Sequence, residues 1–339
     1  MPGAPQPPSL GIPKTINDLQ ATRKGATVGL TWTEPTETTD GELIRKPGKM
    51  VVTRAAGSGG PFQTITEMPL QPALTEKQRP KASAVDSIAA LVTDPAAPDF
   101  LFYRVTSVSR RNTTSLPSNL VSVPAVVTPP PPQSLTLGLV PRGVSISFDI
   151  PAVTVPMRLN SQVVYRIMRL ESGADGAAEP FVVGQIKSGD QAPPIVDSRI
   201  EWEKKYDYWV RPVTLWRAGS QQGEVEGDDS PTAAIVAHDT FPPATPSGLQ
   251  AVFSGLVQRP AIDLTWTPNT EDDLAGYNVY RRTGSGPPVK INAELVKTPA
   301  FHDPNVTVGE NYFYSITAVD LRGNESTASA ETSEAVPKE

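Results

Sequence analysis

One pattern occurs three times along this chain: a short run of alternating apolar and polar residues that ends on an aromatic residue. It is clearest over Ile262–Trp266, which reads Ile-Asp-Leu-Thr-Trp, and looser copies end at Trp32 and Phe148. These three aromatic residues are 116 and 118 positions apart. A repeat of that length is a whole domain rather than one turn of a solenoid. The 339-residue sequence is therefore predicted to form three consecutive domains of similar fold.

Each repeat also carries further runs that read as strands. In the third repeat these are Tyr277–Arg281 and Tyr312–Val319, and every second residue from Tyr312 onward is aromatic or apolar. A period of two is the signature of a half-buried strand. The chain has 37 prolines, 25 glycines and only 19% charged residues, which favours strands joined by turns over long helices. Several short strands punctuated in this way predict an all-β sandwich.

The residues of the third repeat resemble the fibronectin type III domain. The resemblance rests on a strand ending in Trp266, a Tyr-x-Val-Tyr-Arg strand ending at Arg281, and a Gly-x-x-Tyr-x-Tyr-x-Ile-x-Ala-Val strand that starts at Gly309. It extends over about residues 15–337 and implies three tandem immunoglobulin-like β-sandwiches in an elongated rod. It also implies a corner tyrosine, whose hydroxyl bonds to the backbone upstream, at Tyr312 in the third repeat. The position falls on Tyr206 in the second repeat and on Leu101 in the first, where the hydroxyl is missing.

The linkers and repeats together predict the domain boundaries. A proline-rich tether covers residues 1–14, and the three repeats cover 15–127, 133–238 and 245–337. The first repeat carries an insertion, about 67–86, which is predicted to be an irregular surface loop with a turn of helix. Short, proline-dense linkers are stiff, so the domains are expected to stack end to end.

An aspartate precedes the corner position at similar spacing in each repeat. Asp94, Asp197 and Asp303 lie 7, 9 and 9 residues before it. We expect the three aspartates to mark the end of one shared strand. The second repeat has Phe148 where the family has tryptophan, which is a tolerable aromatic replacement in a core.

No set of residues in the sequence points to a reaction. The chain has no cysteine and only two histidines, His238 and His302, so neither a Cys/His nucleophile pair nor a typical zinc site can be built. It also contains no Gly-x-Ser-x-Gly elbow and no phosphate-binding loop. We therefore expect no catalytic residues, no cofactor and no metal. The acidic clusters over 224–229 and 271–273 lack calcium-loop spacing and are predicted to be solvated hairpin and loop tips.

The charge distribution argues against nucleic acid as a partner. The net charge of −6 divides into +3 for residues 1–125, −3 for 126–238 and −6 for 239–339, with no concentrated basic stripe. No apolar run approaches the roughly 18 residues that a membrane-spanning helix needs. The absence of cysteine weakly favours a bacterial or cytosolic protein over a secreted eukaryotic one.

The N-terminal stretch Met1–Pro13 bears on where the protein resides. It is rich in proline and lacks both the basic and the apolar region of a signal peptide. It resembles the segment that follows the lipidated cysteine of mature bacterial lipoproteins, and the alternative is a disordered start of a cytosolic protein. We expect a monomeric bacterial protein of the cell envelope or exterior, with membrane contact only through such a lipid anchor.

The second repeat offers the most distinctive surface. If Tyr206, Tyr208 and Val210 face inward, Trp209 and Arg211 face outward on the same strand. Tryptophan flanked by arginine is typical of interaction hot spots, and arginine can stack on tryptophan. The predicted partner-binding surface consists of Arg166, Met168, Trp209, Arg211 and Trp216. The alternative is that these side chains contact a neighbouring domain or the linker.

Two functions of different kind fit these observations. The first is a non-enzymatic cell-envelope spacer or protein-binding module built of three fibronectin type III domains, with an unidentified protein as partner. The alternative is a carbohydrate-associated accessory protein of a glycan-degrading system, with a surface glycan as partner. Only the tryptophans of the second repeat offer the aromatic platform that sugar stacking needs.

Overall fold

The computed structural model of the chain describes residues 11–72, 75, 80–152, 157–173, 179–190, 194–255 and 259–338. The first ten residues of the predicted tether lie outside the described residues. The described part consists of strands and one helix of five residues, which confirms the all-β prediction. No helix in these ranges is long and apolar enough to cross a membrane.

The first repeat contains seven strands and the helix. The strands are β1 (Gln20–Lys24), β2 (Thr27–Thr33), β3 (Lys49–Ala56), β4 (Phe62–Pro69), β5 (Lys81–Ser87), β6 (Phe100–Val108) and β7 (Val121–Pro124), with helix α1 (Ala89–Thr93) between β5 and β6. One layer contains β1, β2 and β5, and the other runs in the order β4-β3-β6-β7. The core between them centres on Trp32, which is fully buried and donates its indole N–H to the Met50 sulfur at 3.2 Å.

The second and third repeats follow the same plan. The second contains β8 (Thr136–Val140), β9 (Gly143–Ser147), β10 (Gln162–Glu171), β11 (Phe181–Lys187), β12 (Ile195–Asp197), β13 (Lys205–Ala218), β14 (Gln221–Glu226) and β15 (Ala233–Val236). The third contains β16 (Ser247–Ser254), β17 (Ala261–Thr267), β18 (Leu274–Thr283), β19 (Val289–Lys290), β20 (Ala300–Asp303), β21 (Asn311–Asp320) and β22 (Thr332–Ala335). The sheets of the third repeat are β16-β17-β20 and β19-β18-β21-β22, and Trp266 packs edge-to-face on Tyr277 between them.

The chain divides into two compact units. One comprises residues 1–138, 144–198 and 204–236, and so holds most of the first two repeats. The other comprises 139–143, 199–203 and 237–339, and so holds the third. The boundaries of three separate domains remain a prediction.

The predicted corner tyrosine is present in the third repeat. The Tyr312 hydroxyl accepts a hydrogen bond from the Thr307 backbone N–H at 2.9 Å, which ties β21 to the loop before it. In the first repeat Leu101 occupies the position and is fully buried. Phe148, which replaces the family's core tryptophan in the second repeat, is only half-buried and packs on Tyr165 with ring centroids 6.3 Å apart.

A buried Arg–Asp–Tyr cluster recurs in all three repeats. In the third repeat Arg281 of β18 donates to the Asp303 carboxylate of β20 at 2.8 Å, and the Tyr314 hydroxyl of β21 donates to the same oxygen at 2.8 Å. The equivalent groups are Arg54, Asp86 and Tyr103 in the first repeat and Arg169, Asp197 and Tyr208 in the second. Burial is the main cause that raises the pKa of each of the three tyrosines far above its usual value. The clusters therefore tie the two layers together across each core.

Two predictions for the first repeat are wrong. The shared aspartate is Asp86 rather than Asp94, because α1 lengthens the connection from the aspartate to the tyrosine to 17 residues, against 11 in the other repeats. Asp94 instead follows α1 and accepts a hydrogen bond from the Ala96 N–H. The irregular loop predicted over 67–86 is also wrong at both ends, since β4 runs to Pro69 and β5 begins at Lys81. Residues 73–74 and 76–79 of that loop lie outside the described residues.

Candidate functional site

Four of the five predicted partner-binding residues lie on one face of the β10–β13 pair. Arg166 lies directly opposite Arg211, and Met168 directly opposite Trp209. Met168 is buried and Trp209 half-buried, and the Trp209 indole nitrogen is covered without a hydrogen-bond partner. Trp216 lies farther along β13 and packs edge-to-face on Phe100 of the first repeat, with centroids 5.5 Å apart. The structure thus brings four of the five side chains together and turns the fifth toward a neighbouring sandwich.

Both arginines of this face are paired with carboxylates. Arg166 makes a bidentate contact with Glu224, at 3.0 and 2.6 Å. Arg211 contacts Asp229 through Nε at 2.6 Å and Glu226 through Nη1 at 2.7 Å. Two arginines directly opposite each other repel, so these carboxylates stabilise the pair. The acidic stretch over 224–229, predicted to be a solvated tip, therefore neutralises the arginines of the candidate face.

The pKa shifts agree with this pairing. The hydrogen bond from Arg166 lowers the pKa of Glu224, although partial burial opposes it. Burial acts to raise the pKa of Asp229, but the hydrogen bonds and charges of Arg211 and Lys24 outweigh it and hold that pKa below its usual value. The face is thus close to electrically neutral, and its role in binding a partner remains a prediction.

The third repeat contains the candidate cation site. Asp239, Asp273 and Asp320 each offer one carboxylate oxygen, and the three oxygens lie within 4.8 Å of one another. Asp239 precedes the repeat, Asp273 directly precedes β18, and Asp320 ends β21. Carboxylate oxygens at this spacing could hold a divalent cation such as calcium.

The turn after β21 holds Asp320 in place. One Asp320 oxygen accepts the backbone N–H groups of Arg322 and Asn324, at 2.8 and 2.9 Å. The other accepts the Asn324 side-chain amide, which also donates to the Asp239 carbonyl oxygen. These bonds fix the carboxylate without any cationic side chain. Burial raises the pKa of Asp273, and the negative charges of Asp239 and Asp320 raise it further.

Sequence reasoning missed this cluster because it considered only adjacent acids. The cluster 271–273 is split in the structure: Asp272 is exposed, while Glu271 accepts the Ala244 backbone N–H at 2.7 Å. The Asp273 carboxylate lies beside those of Asp239 and Asp320, which are far from it in sequence. The available signal was the Asp-Leu-Arg-Gly-Asn turn after β21, which brings Asp320 to the same end of the sandwich as the loop before β18.

Replacing Asp273 by asparagine is expected to raise the melting temperature at pH 7. A carboxylate whose folded-state pKa is raised favours folding while it is protonated, and that contribution is lost as pH rises through the folded-state pKa. At neutral pH the ionised Asp273 therefore destabilises the fold, by less than about 1 kcal/mol because solvent screens a partly exposed group. Calorimetry across pH 3–8, with Asp272→Asn as the exposed control, measures this. A lower melting temperature for Asp273→Asn would contradict it.

No family model matches the chain. A stretch of 94 residues is 39% identical to part of the amylopullulanase of Thermoanaerobacterium saccharolyticum, covering 28% of this chain and 7% of that protein. A stretch of 93 residues is 36% identical to part of exoglucanase B of Cellulomonas fimi, covering 27% of the chain and 8% of that protein. The chain thus spans less than a tenth of the length of these curated relatives.

Sequence identity to a protein of known structure shows the family. The Fn3-like protein from Clostridium thermocellum is 34% identical to this chain, which covers 97% of it. That protein in turn covers 29% of the chain, with a TM-score of 0.25. The chain belongs to the fibronectin type III family. Its fibronectin type III repeats keep the family's corner at Tyr312, and the sequence relatives named above are all bacterial.

Proposed function

We propose that this chain is a non-catalytic accessory part of an extracellular bacterial protein that acts on glycans, and that it serves there as a spacer. The observation that carries the proposal is the similarity to segments of an amylopullulanase and of an exoglucanase. Each segment is about one repeat long and is a small part of its protein. What the chain shares with those enzymes is therefore a module of repeat size, which fits an accessory role.

The geometry of the second repeat supports a spacer more than a binding module. Arg166 and Arg211, the charged groups of the candidate face, are already paired with Glu224, Glu226 and Asp229. Trp216 is engaged by Phe100. A binding hot spot presents side chains that a partner can desolvate and pair with, whereas these are largely satisfied within the chain. An extracellular location and a lipid anchor at the cell envelope are parts of the same proposal.

The proposal is tested by incubating the purified chain with soluble starch, pullulan and cellulose. We expect no reducing sugar above the blank, and no retention of the chain by insoluble starch or cellulose in a sedimentation assay. Release of sugar would overturn the non-catalytic role. Retention would replace the spacer by a glycan-binding module, and loss of that retention in Trp209→Ala would locate the binding on the β10–β13 face.

A further inference from the structure

The end of β1 joins the first two repeats within the first compact unit. Lys24 pairs in parallel register with Glu226 of β14, and the Gly25 N–H donates to the Glu226 carbonyl at 2.7 Å. One sheet therefore runs through both repeats in the order β11-β10-β13-β14-β1-β2-β5, with β15 beside β13. Strand pairing between sandwiches restricts their relative motion more than side-chain contact alone, because it fixes backbone to backbone.

Arg23, the residue before this pairing, is a half-buried cation held by carbonyl groups. Its guanidinium donates to the carbonyl oxygens of Pro124 and Val126, and its Nε donates to the Gly25 carbonyl at 3.1 Å. Among the described residues no carboxylate contacts it, and burial lowers its pKa to about 10. Burying a charge is unfavourable unless it is fully hydrogen-bonded. Arg23 therefore fixes the last residues of the first repeat, from which the linker departs.

Further contacts tie the two repeats away from this corner. Arg158 of the second repeat donates to the carbonyl oxygens of Ala97, at 2.6 Å, and Asp94. The Thr214 hydroxyl of β13 donates to the carbonyl of Val127, the last residue before the linker, at 2.7 Å. The edge-to-face contact of Trp216 with Phe100 lies in the same joint. At the β1–β14 corner itself, an ion pair between Lys24 and Asp229, at 2.8 Å, also joins the two repeats.

We propose that the first two repeats move as one rigid body, because the β1–β14 corner and the Arg158 and Trp216 contacts form a lock at two separate places. A single point of contact would leave rotation about every axis through it, whereas contacts at two places leave only the line that joins them. The paired backbone at the β1–β14 corner opposes rotation about that line as well. The proline-rich linker after Val127 then does not act as a hinge. The inference is independent of the proposed function, since it concerns only the joint.

The absence of cysteine from the sequence makes a direct test simple. Ser83→Cys on β5 and Gln185→Cys on β11 place spin labels at exposed positions of the two outermost strands of the shared sheet. Six strand spacings of about 4.8 Å put the two backbones on the order of 30 Å apart, within range of pulsed electron paramagnetic resonance. We expect one narrow distance distribution for the full chain.

Breaking the lock should widen that distribution. The variant Lys24→Met, Arg158→Met, Trp216→Ala removes side-chain contacts of both places, and we expect its distribution to be at least twice as wide. Lys49→Met is the matched control, because Lys49–Glu67 is an ion pair of similar length and exposure inside the first repeat. The control should leave the distribution unchanged. A broad distribution in the unmodified labelled chain would overturn the proposal even if the triple variant failed to fold.

Discussion

Replacing Asp303 by alanine should lower the free energy of unfolding of the third repeat by about 3–5 kcal/mol, the range found when one partner of a buried ion pair is removed. Asp303 is buried in the core, and its oxygens accept hydrogen bonds from Arg281, Tyr314 and the Asn305 backbone. Alanine would leave a guanidinium and a fully buried phenol hydroxyl without their shared acceptor. The phenol hydroxyl would lose its hydration without gaining a bond, while Arg281 would retain its hydrogen bond to the Asn305 carbonyl oxygen at 2.6 Å.

Hydrogen exchange with mass spectrometry can localise this effect. Amides of β20 and β21 should lose protection in Asp303→Ala, while those of the first repeat keep it. Asp263→Ala is the control on the neighbouring strand, because the pairing of Asp263 with His302 is exposed on both sides and should contribute less than about 1 kcal/mol. Tyr314→Phe removes one donor only and should fall between the two. Equal protection in Asp303→Ala and Asp263→Ala would show that the cluster does not hold the layers together.

The period-two alternation of the sequence already indicated one member of this cluster, Arg281. A period of two places Arg281 on the same face as Tyr277 and Val279, which the structure buries. A charged residue on a core face requires a partner, so the pattern called for an acid on the opposite layer. Spacing alone correctly placed Asp197 and Asp303 at the end of one shared strand. It failed for Asp86, since a helix of five residues cannot be distinguished from loop by a pattern as short as Ala89–Thr93.

The candidate site was less accessible to sequence reasoning than the fold. Period two correctly grouped Trp209 with Arg211, because the face of a strand residue depends only on its own strand. The carboxylates that pair with the arginines lie across a hairpin, and their register depends on the geometry of a turn. The Asp239, Asp273 and Asp320 cluster needs three loops to converge. Such convergence is a property of tertiary structure and leaves no local periodicity.

Gly48 provides the second large expected effect. A Cβ atom at this position would lie 2.0 Å from the Val108 carbonyl oxygen and 2.6 Å from the Ser109 carbonyl carbon. Both neighbours are backbone atoms at the end of β6, which pairs with β3 from Lys49 onward. No side-chain rotation can relieve that overlap. Gly48→Ala must therefore separate β3 from β6 at the edge of their pairing.

We expect Gly48→Ala to destabilise the first repeat by at least about 2–3 kcal/mol, the upper range for overpacking in a closely packed interior. The matched control is Gly59→Ala, eleven positions later in the same repeat, where a Cβ meets nothing within 4 Å. That substitution should be neutral or slightly stabilising, since alanine restricts the unfolded chain more than glycine does. Calorimetry of both variants, with Trp32 fluorescence as a reporter of the first core, decides the matter. If the two alanines behaved alike, the close approach of Gly48 to β6 would be wrong, and with it the register that places Lys49 opposite Val108.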